Sequence, residues 1–511
     1  MAGAYNNEVI SMRVLNVNVC PTGNLPKCEQ LAWALAETAS DNAPIDDAAA
    51  EMAALRVVDN IGVALAALNA PSVANARSEA LAHPRSGGAT LFGFASCDAV
   101  HCEWATWANA TAVRELDFHD NFYGADVAHP GDTMSGILAV AQQMGCNGEE
   151  FVRGLLTAYE VQIALAHNIP LAKNRLDHTA HIVPSVICGI GTMLGLETET
   201  IFQAIQHGVQ VSATTGQGRC GELTSWKANA PAHASMQSIH AVDRAMRGGC
   251  SPGSIYEGEC GFIASYLESR PEGYDVMLPD KGEPKRRILE TYTKEHAAGY
   301  HGQVPIDLAI SMREKLERID EIRSIILHTK QKTHNMMGAG SGNKSKWDPS
   351  ASRETLDHSA MYCFAVALED GEWDHKKSYS AERANRPSTV SLWKKITTME
   401  DRAWNLRFDG REPLEKDHGV RAEVVYNDGT VIESEMAVPN AHPRGQRPFG
   451  YTEYINKFLR LTEAVIAKPD SDRFLASINR LTSLTGDELC DFLPVTIASH
   501  IKTGQHRDGL F

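Results

Sequence analysis

From residue 46 the chain reads DDAAAEMAALRVVDNIGVALAALNAP, apolar at most positions after an acidic start and stopped by Pro71. Alanine and leucine in such density predict a buried helix. The stretch 147–167, NGEEFVRGLLTAYEVQIALAH, places Asn147 and Glu150 three apart before an apolar run, the two halves of a capping box. The segment 184–196 carries Pro184 at its expected first helical position, and 198–213 spaces its apolar residues at helical period. The segment 232–249 ends in glycine, as helices commonly do. Near residue 285 the pattern changes. IRSIILHT (322–329) is short and β-branched, a strand. AEVVYNDGTVIESEMAV (422–438) shows two β-prone runs around Asn427-Asp428-Gly429, a hairpin. Residues 452–467 return to helix. The pattern predicts a mostly α chain with an inserted α+β domain. Residues 1–285 and 448–511 would form a discontinuous helical domain, and 286–447 the insert. There is no internal repeat, low-complexity tract or βαβ alternation.

Composition narrows the function. At 511 residues and 55.7 kDa the chain exceeds the usual limit of one core, and 43% apolar residues are ample for packing. The net charge of −16 disfavours nucleic acid or an anionic membrane as partner. It leaves room for an anionic substrate in a locally basic pocket. The N-terminus lacks a basic segment followed by a long apolar run, so no secretory signal is read, and no apolar stretch is long enough to span a bilayer. The eleven cysteines are scattered with no C-x-x-C, against a zinc ribbon or a paired-cysteine iron–sulfur site and for a reducing cytoplasm.

The chemistry concentrates in RELDFHDNFYGADVAHP (114–130). Four carboxylates (Glu115, Asp117, Asp120, Asp126) and two imidazoles (His119, His129) share seventeen positions. Leu116, Phe118 and Phe122 interleave with them and tie the segment to a core, where pKa values shift. Structural, acid–base and metal readings all remain open on spacing alone. LDHTAHIVPSV (176–186) carries His178 and His181, a spacing that is usually structural. Lys227 in TSWKANAPAHA (224–234) has few charged neighbours, which suits a partly buried carboxylate binder as well as a snorkelling lysine. His296, His301 and His358 follow, His358 near a capped helix start. GAGSGN (338–343) lacks the phosphate-loop lysine and reads as a flexible loop near a site.

Longer motifs then add a resemblance. RELDFHD, GIGTML, SWKANAPAHA, AVDRAMRG, GEPKRRIL, YTKEHAAGYHGQVPIDLA, DPSASRETLDHS and AHPRGQRPF occur in order between about residues 28 and 460. Together they resemble the MmgE/PrpD family, most closely its 2-methylcitrate dehydratase branch. The resemblance implies a helical domain with a smaller α+β lid, a homodimer, and an active site between the domains. It implies catalysis without an iron–sulfur cluster, and no metal or other cofactor is called for. Family positions map onto Asp117, His129, His178, Lys227 and His301 as catalytic residues, with His181 competing for the place of His178. Asn121, His119, His181 and His358 are the further candidates for binding substrate. Two departures bear on the substrate. Asn121 stands where the family usually has threonine, and TTGQGRCGE (214–222) keeps only Arg219 of a more basic segment.

The implied reaction takes a proton from a carbon alpha to a carboxylate and expels hydroxide from the next carbon, in propionate catabolism. Such a site needs cations or donors around the carboxylate, a base, and an acid for the leaving group. Asp117 is the expected proton-handling or orienting carboxylate. Lys227 and the histidines are expected to share the remaining roles. A cis-aconitate decarboxylase and an epimerase are the rivals within the family; a non-catalytic tricarboxylate-binding protein is the rival outside enzymology.

Overall fold

The computed structural model describes residues 10–21, 25–497 and 509–510. The first nine positions of the N-terminal reading, and most of 498–511, lie outside the described residues.

The helices form largely where the pattern puts them. Helix Asp47–Ala67 is capped by Asp46, whose carboxylate accepts the Ala49 N–H at 2.9 Å. Helix Gly148–Asn168 carries the full capping box. Asn147 Oδ1 accepts the Glu150 N–H at 3.0 Å, and Glu150 accepts the Asn147 N–H at 2.8 Å. Helices Thr198–Val209 and Tyr451–Thr462 stop four and five residues short of the expected 213 and 467, and two starts differ as well. Pro184 is the third residue of helix Ile182–Met193, because a 3₁₀ turn over His178–His181 leads the chain in. The helix expected to begin at 232 runs from Trp226 to Met246, with Pro231 inside it. A proline there frees the carbonyl four residues back. That carbonyl belongs to Lys227, and Arg219 takes it with an N–H donated at 3.1 Å. A distant guanidinium thus replaces the missing backbone donor, and the helix continues through the proline.

The β structure exceeds expectation. Strand Ile322–Thr329 and hairpin strands Val420–Tyr426 and Val431–Met436 appear as read, with Gly429 at φ 88° closing the turn. A further strand, Ile396–Glu400, lies parallel to Ile322–Thr329 and completes a four-stranded sheet. Far from it, Met12–Val17 pairs antiparallel with Tyr274–Pro279 in the stretch expected to be helical.

Buried apolar side chains form two main clusters. The larger draws on residues from Val17 to Ala297 and from Phe458 to Leu493, the smaller on Ala298 to Tyr426. A small aromatic cluster, Tyr123, Tyr292, Tyr300 and Phe408, takes members from both stretches. Among the described residues no single helix is long and apolar enough to cross a membrane.

Candidate active site

The stretch that begins at Arg114 is not a hydrated loop: Glu115, Asp117, His119, Asp120, Asn121, Asp126 and His129 are all at most 6% exposed. Helix Cys102–Glu115 ends there, and the chain turns through Asp117 at φ 48°, a left-handed backbone that an L-residue holds only when its surroundings insist. Three of the four carboxylates hold structure. Glu115 accepts the Ser72 hydroxyl at 2.5 Å. Asp120 accepts the Gly131 N–H at 2.9 Å and the Tyr159 hydroxyl at 2.7 Å. Asp126 accepts the amides of Val127, Leu171 and Ala172.

Asp117 is different. Arg114 and Lys294 reach its Oδ1 at 2.5 Å each, and Lys227 Nζ lies 3.3 Å from its Oδ2. Burial pushes the Asp117 carboxyl up, but Arg114, Lys294 and Lys227 outweigh it and hold the group well below the carboxylate range. Lys227 Nζ also sits 3.0 Å from both oxygens of Asp357 and 3.3 Å from His358 Nδ1. The ligand atoms of Asp117, Asp357 and His358 lie within 4.8 Å of one another, a spacing that could serve a metal ion. The Lys227 ammonium already stands among them, so the cation this group asks for is supplied by the chain itself. A second such group, Glu295, His296 and Asp307, is engaged otherwise. His296 Nε2 lies 2.9 Å from Asp307, which also accepts the Asn440 N–H, and Glu295 pairs with Arg447.

Beside this lattice opens a cavity of about 900 Å³. Asp117, Asn121, His129, His178, Lys227, His301 and His358 all line it, as do Arg219 and the 338–343 loop through Ser341 and Asn343. His129 Nδ1 lies 3.0 Å from the Asp120 carbonyl, which can only accept, so its Nε2 carries the lone pair. Burial, with Arg114 and Lys294 nearby, holds His129 well below the usual imidazole range. His178 Nδ1 rests on Asp177 at 2.9 Å, and Asp177 in turn accepts from Arg219 at 2.9 Å. His301 Nδ1 meets the Thr333 hydroxyl at 3.1 Å; burial and then Lys330 and Lys332 hold its pKa well below the usual range. The Nε2 atoms of His178 and His301, and both amide atoms of Asn121, are buried with no hydrogen-bond partner among the described residues. Buried polar atoms are rarely left so in folded proteins unless something else is to meet them.

Both halves of the chain match models of one family: residues 29–274 match the MmgE/PrpD N-terminal domain, and 296–482 the MmgE/PrpD C-terminal domain. The chain belongs to the MmgE/PrpD family. Relatives include the mitochondrial 2-methylcitrate dehydratase of Yarrowia lipolytica, 27% identical over 406 residues, covering 75% of this chain and 74% of that protein. The 2-methylcitrate dehydratase of Salmonella typhimurium is 26% identical over 366 residues, covering 68% and 72%. A 2-methylcitrate dehydratase-like protein, oryR, of Aspergillus oryzae is 24% identical over 359 residues, covering 65% and 68%.

Around this cavity two of the expected residues stand apart. His119 does not line the cavity; it is fully buried with Nε2 2.9 Å from Asp132. His181 also turns away, its Nε2 3.1 Å from the Ile169 carbonyl. Lys227 is at the cavity but its partners are the protein's own carboxylates, not an open position. Arg114, Lys294, Asp357 and Asp177 escaped the sequence reading, which named Arg219 only as the remnant of a basic segment. One signal could have found two of them. Leu-Asp-His occurs at 176–178 and again at 356–358, and in both the aspartate binds Nδ1 of the histidine that follows it.

Proposed function

We propose that the protein is a 2-methylcitrate dehydratase, a hydro-lyase that converts 2-methylcitrate to 2-methyl-cis-aconitate and water. The observation that carries this reading is the set of unpartnered polar atoms on Asn121, His178 and His301. They line one cavity beside the Lys227–Asp117 lattice. A polyanionic hydroxy acid supplies acceptors for such donors, and the imidazoles supply proton carriers.

In this reading His129 is the base. Its Nδ1–H is spent on a carbonyl, so Nε2 receives the α-proton. The C–H electron pair becomes the new double bond, and the C–O bond breaks. His178, oriented by Asp177, delivers the proton with which the hydroxyl leaves as water. Asn121 and His301 hold substrate oxygens; the proton on His129 returns to solvent, and His178 takes one back from it. Asp117 moves no proton: three cations keep it an anion, and its work is to fix Arg114 and Lys227 at the cavity wall, with Lys294 as a further buried partner. No iron–sulfur cluster enters, in keeping with a cavity to which only Cys220 of the eleven cysteines contributes.

The same reading divides the chain at 285 and 447 into a helical domain and a lid. The two apolar clusters support two cores, with their first break at 297–298, about a dozen residues past 285, and the cavity takes residues from both stretches. It places the protein as a homodimer, on the family resemblance, and in the cytoplasm, consistent with eleven scattered cysteines and no C-x-x-C.

One assay tests the proposal. The protein is incubated separately with 2-methylcitrate, citrate and cis-aconitate, following ultraviolet absorbance of unsaturated acid and release of carbon dioxide. Absorbance rising with 2-methylcitrate, without carbon dioxide, is the expected result. Carbon dioxide from cis-aconitate makes the protein a decarboxylase, and no change with any of the three removes the lyase reading.

A further inference from the structure

Five cationic side chains line the cavity: Arg114, Arg175, Arg219, Lys227 and Lys346. Four are engaged by the protein itself. Arg114 is spent on Asp117, Arg219 on Asp177 and the Lys227 carbonyl, and Lys227 on Asp117 and Asp357. Lys346 donates to the His358 carbonyl at 2.6 Å. Arg175 is exposed, and among the described residues its guanidinium has no hydrogen bond, ion pair or ring contact.

Its backbone, by contrast, is held firmly. Arg175 closes the 3₁₀ turn Ala172–Asn174 at φ 61°, ψ 25°, a left-handed conformation unusual for arginine. Its carbonyl accepts the Gly216 N–H at 2.7 Å, Leu176 bridges Thr215, and Asp177 N–H bonds the Thr214 carbonyl at 2.8 Å. Only glycine fits at 216, since a Cβ there would stand 2.9 Å from the Arg175 oxygen. The turn so stitched also carries His178, three residues on, with its unpartnered Nε2 at the same cavity. A strained, fixed backbone that presents an unspent guanidinium to a cavity is pre-organised for a ligand.

We propose that Arg175 is a specificity-determining residue that binds the far outer carboxylate of a tricarboxylate substrate whose reacting end lies at His129 and His178. The proposal rests on the reading of the cavity as a polycarboxylate site. A planar guanidinium pairs with a carboxylate through two parallel N–H bonds, which lysine cannot copy.

The test uses Arg175→Asn, because asparagine tolerates the left-handed backbone, together with Arg175→Lys. Calorimetry measures binding of propane-1,2,3-tricarboxylate and of 2-methylbutanedioate, which lacks one outer carboxylate. Kinetics on 2-methylcitrate run beside it. The wild type should prefer the tricarboxylate. Arg175→Asn should weaken tricarboxylate binding by about tenfold or more, the loss of one charge-assisted contact. It should leave the dicarboxylate and the thermal midpoint unchanged, and raise KM far more than it lowers kcat. Arg175→Lys should fall between. Equal weakening of both acids, or of neither, overturns the proposal. A wild type that shows the Arg175-dependent preference but does not turn over 2-methylcitrate leaves the subsite standing and removes the dehydratase reading instead.

Discussion

Lys227→Met tests the ionic lattice directly. The side chain is 2% exposed, and its ammonium contacts Asp117 and Asp357 at 3.0–3.3 Å. Methionine keeps the volume and removes the charge. Breaking a buried ion pair by deleting one partner costs about 3–5 kcal/mol, because the charge left behind is unpaired and desolvated. Here the two remaining carboxylates fare differently. Asp117 keeps Arg114 and Lys294, each at 2.5 Å, whereas Asp357 keeps only Arg353 at 3.2 Å and the neighbouring His358. The penalty therefore falls mainly on Asp357, and the lower end of that range, about 3 kcal/mol, is the expected loss. Asp357→Asn removes the stranded charge. The double variant Lys227→Met/Asp357→Asn should then be more stable than the sum of the single losses predicts, by at least about 1 kcal/mol, the coupling of contacting residues. Urea unfolding of the four proteins, followed by far-ultraviolet circular dichroism, closes the cycle. Additive losses would refute the reasoning, since they would mean that Lys227 and Asp357 do not sense one another in the folded state.

Three further outcomes are expected. Stability should begin to fall with acid in the histidine range. His129 and His301 are buried and His358 half-buried, all with lowered pKa values, His358 at about 4, so below about pH 6.5 these three sites bind more protons in the unfolded chain and their contribution to stability drops as pH falls. Urea midpoints at pH 7.5, 6 and 5 check this, and a flat profile contradicts it. At still lower pH the contribution of Asp117, whose pKa is depressed, is lost as well. Asn121→Ala should raise KM by about tenfold or more while leaving stability unchanged or higher, because the side-chain amide makes no hydrogen bond among the described residues. Steady-state kinetics and a melting curve decide it, and a marked loss of stability would make Asn121 structural. Exhaustive chelation should leave turnover of 2-methylcitrate intact, since Lys227 fills the cation position among Asp117, Asp357 and His358. Loss of activity restored by one divalent ion would reverse that assignment.

What the sequence determined by itself were features settled within a few residues. The capping box of Asn147 and Glu150, the strand Ile322–Thr329 and the hairpin about Gly429 are decided by neighbours one turn or one strand away, and they read correctly. The motifs that mark the family are local strings of the same kind. The roles of the charged groups were not local. Lys227 looks isolated in its own segment because its carboxylate is 130 positions on, and the second lysine on Asp117 comes from 177 positions on. The helix boundary at Trp226 also escaped, because the carbonyl that Pro231 frees is satisfied by Arg219 from another loop. His119 and His181 have the same composition around them as His129 and His178, and only packing decided which rings meet the cavity and which meet Asp132 and the Ile169 carbonyl. A buried charge is stabilised by whatever the fold brings within about 4 Å of it, a distance that separation along the chain does not encode.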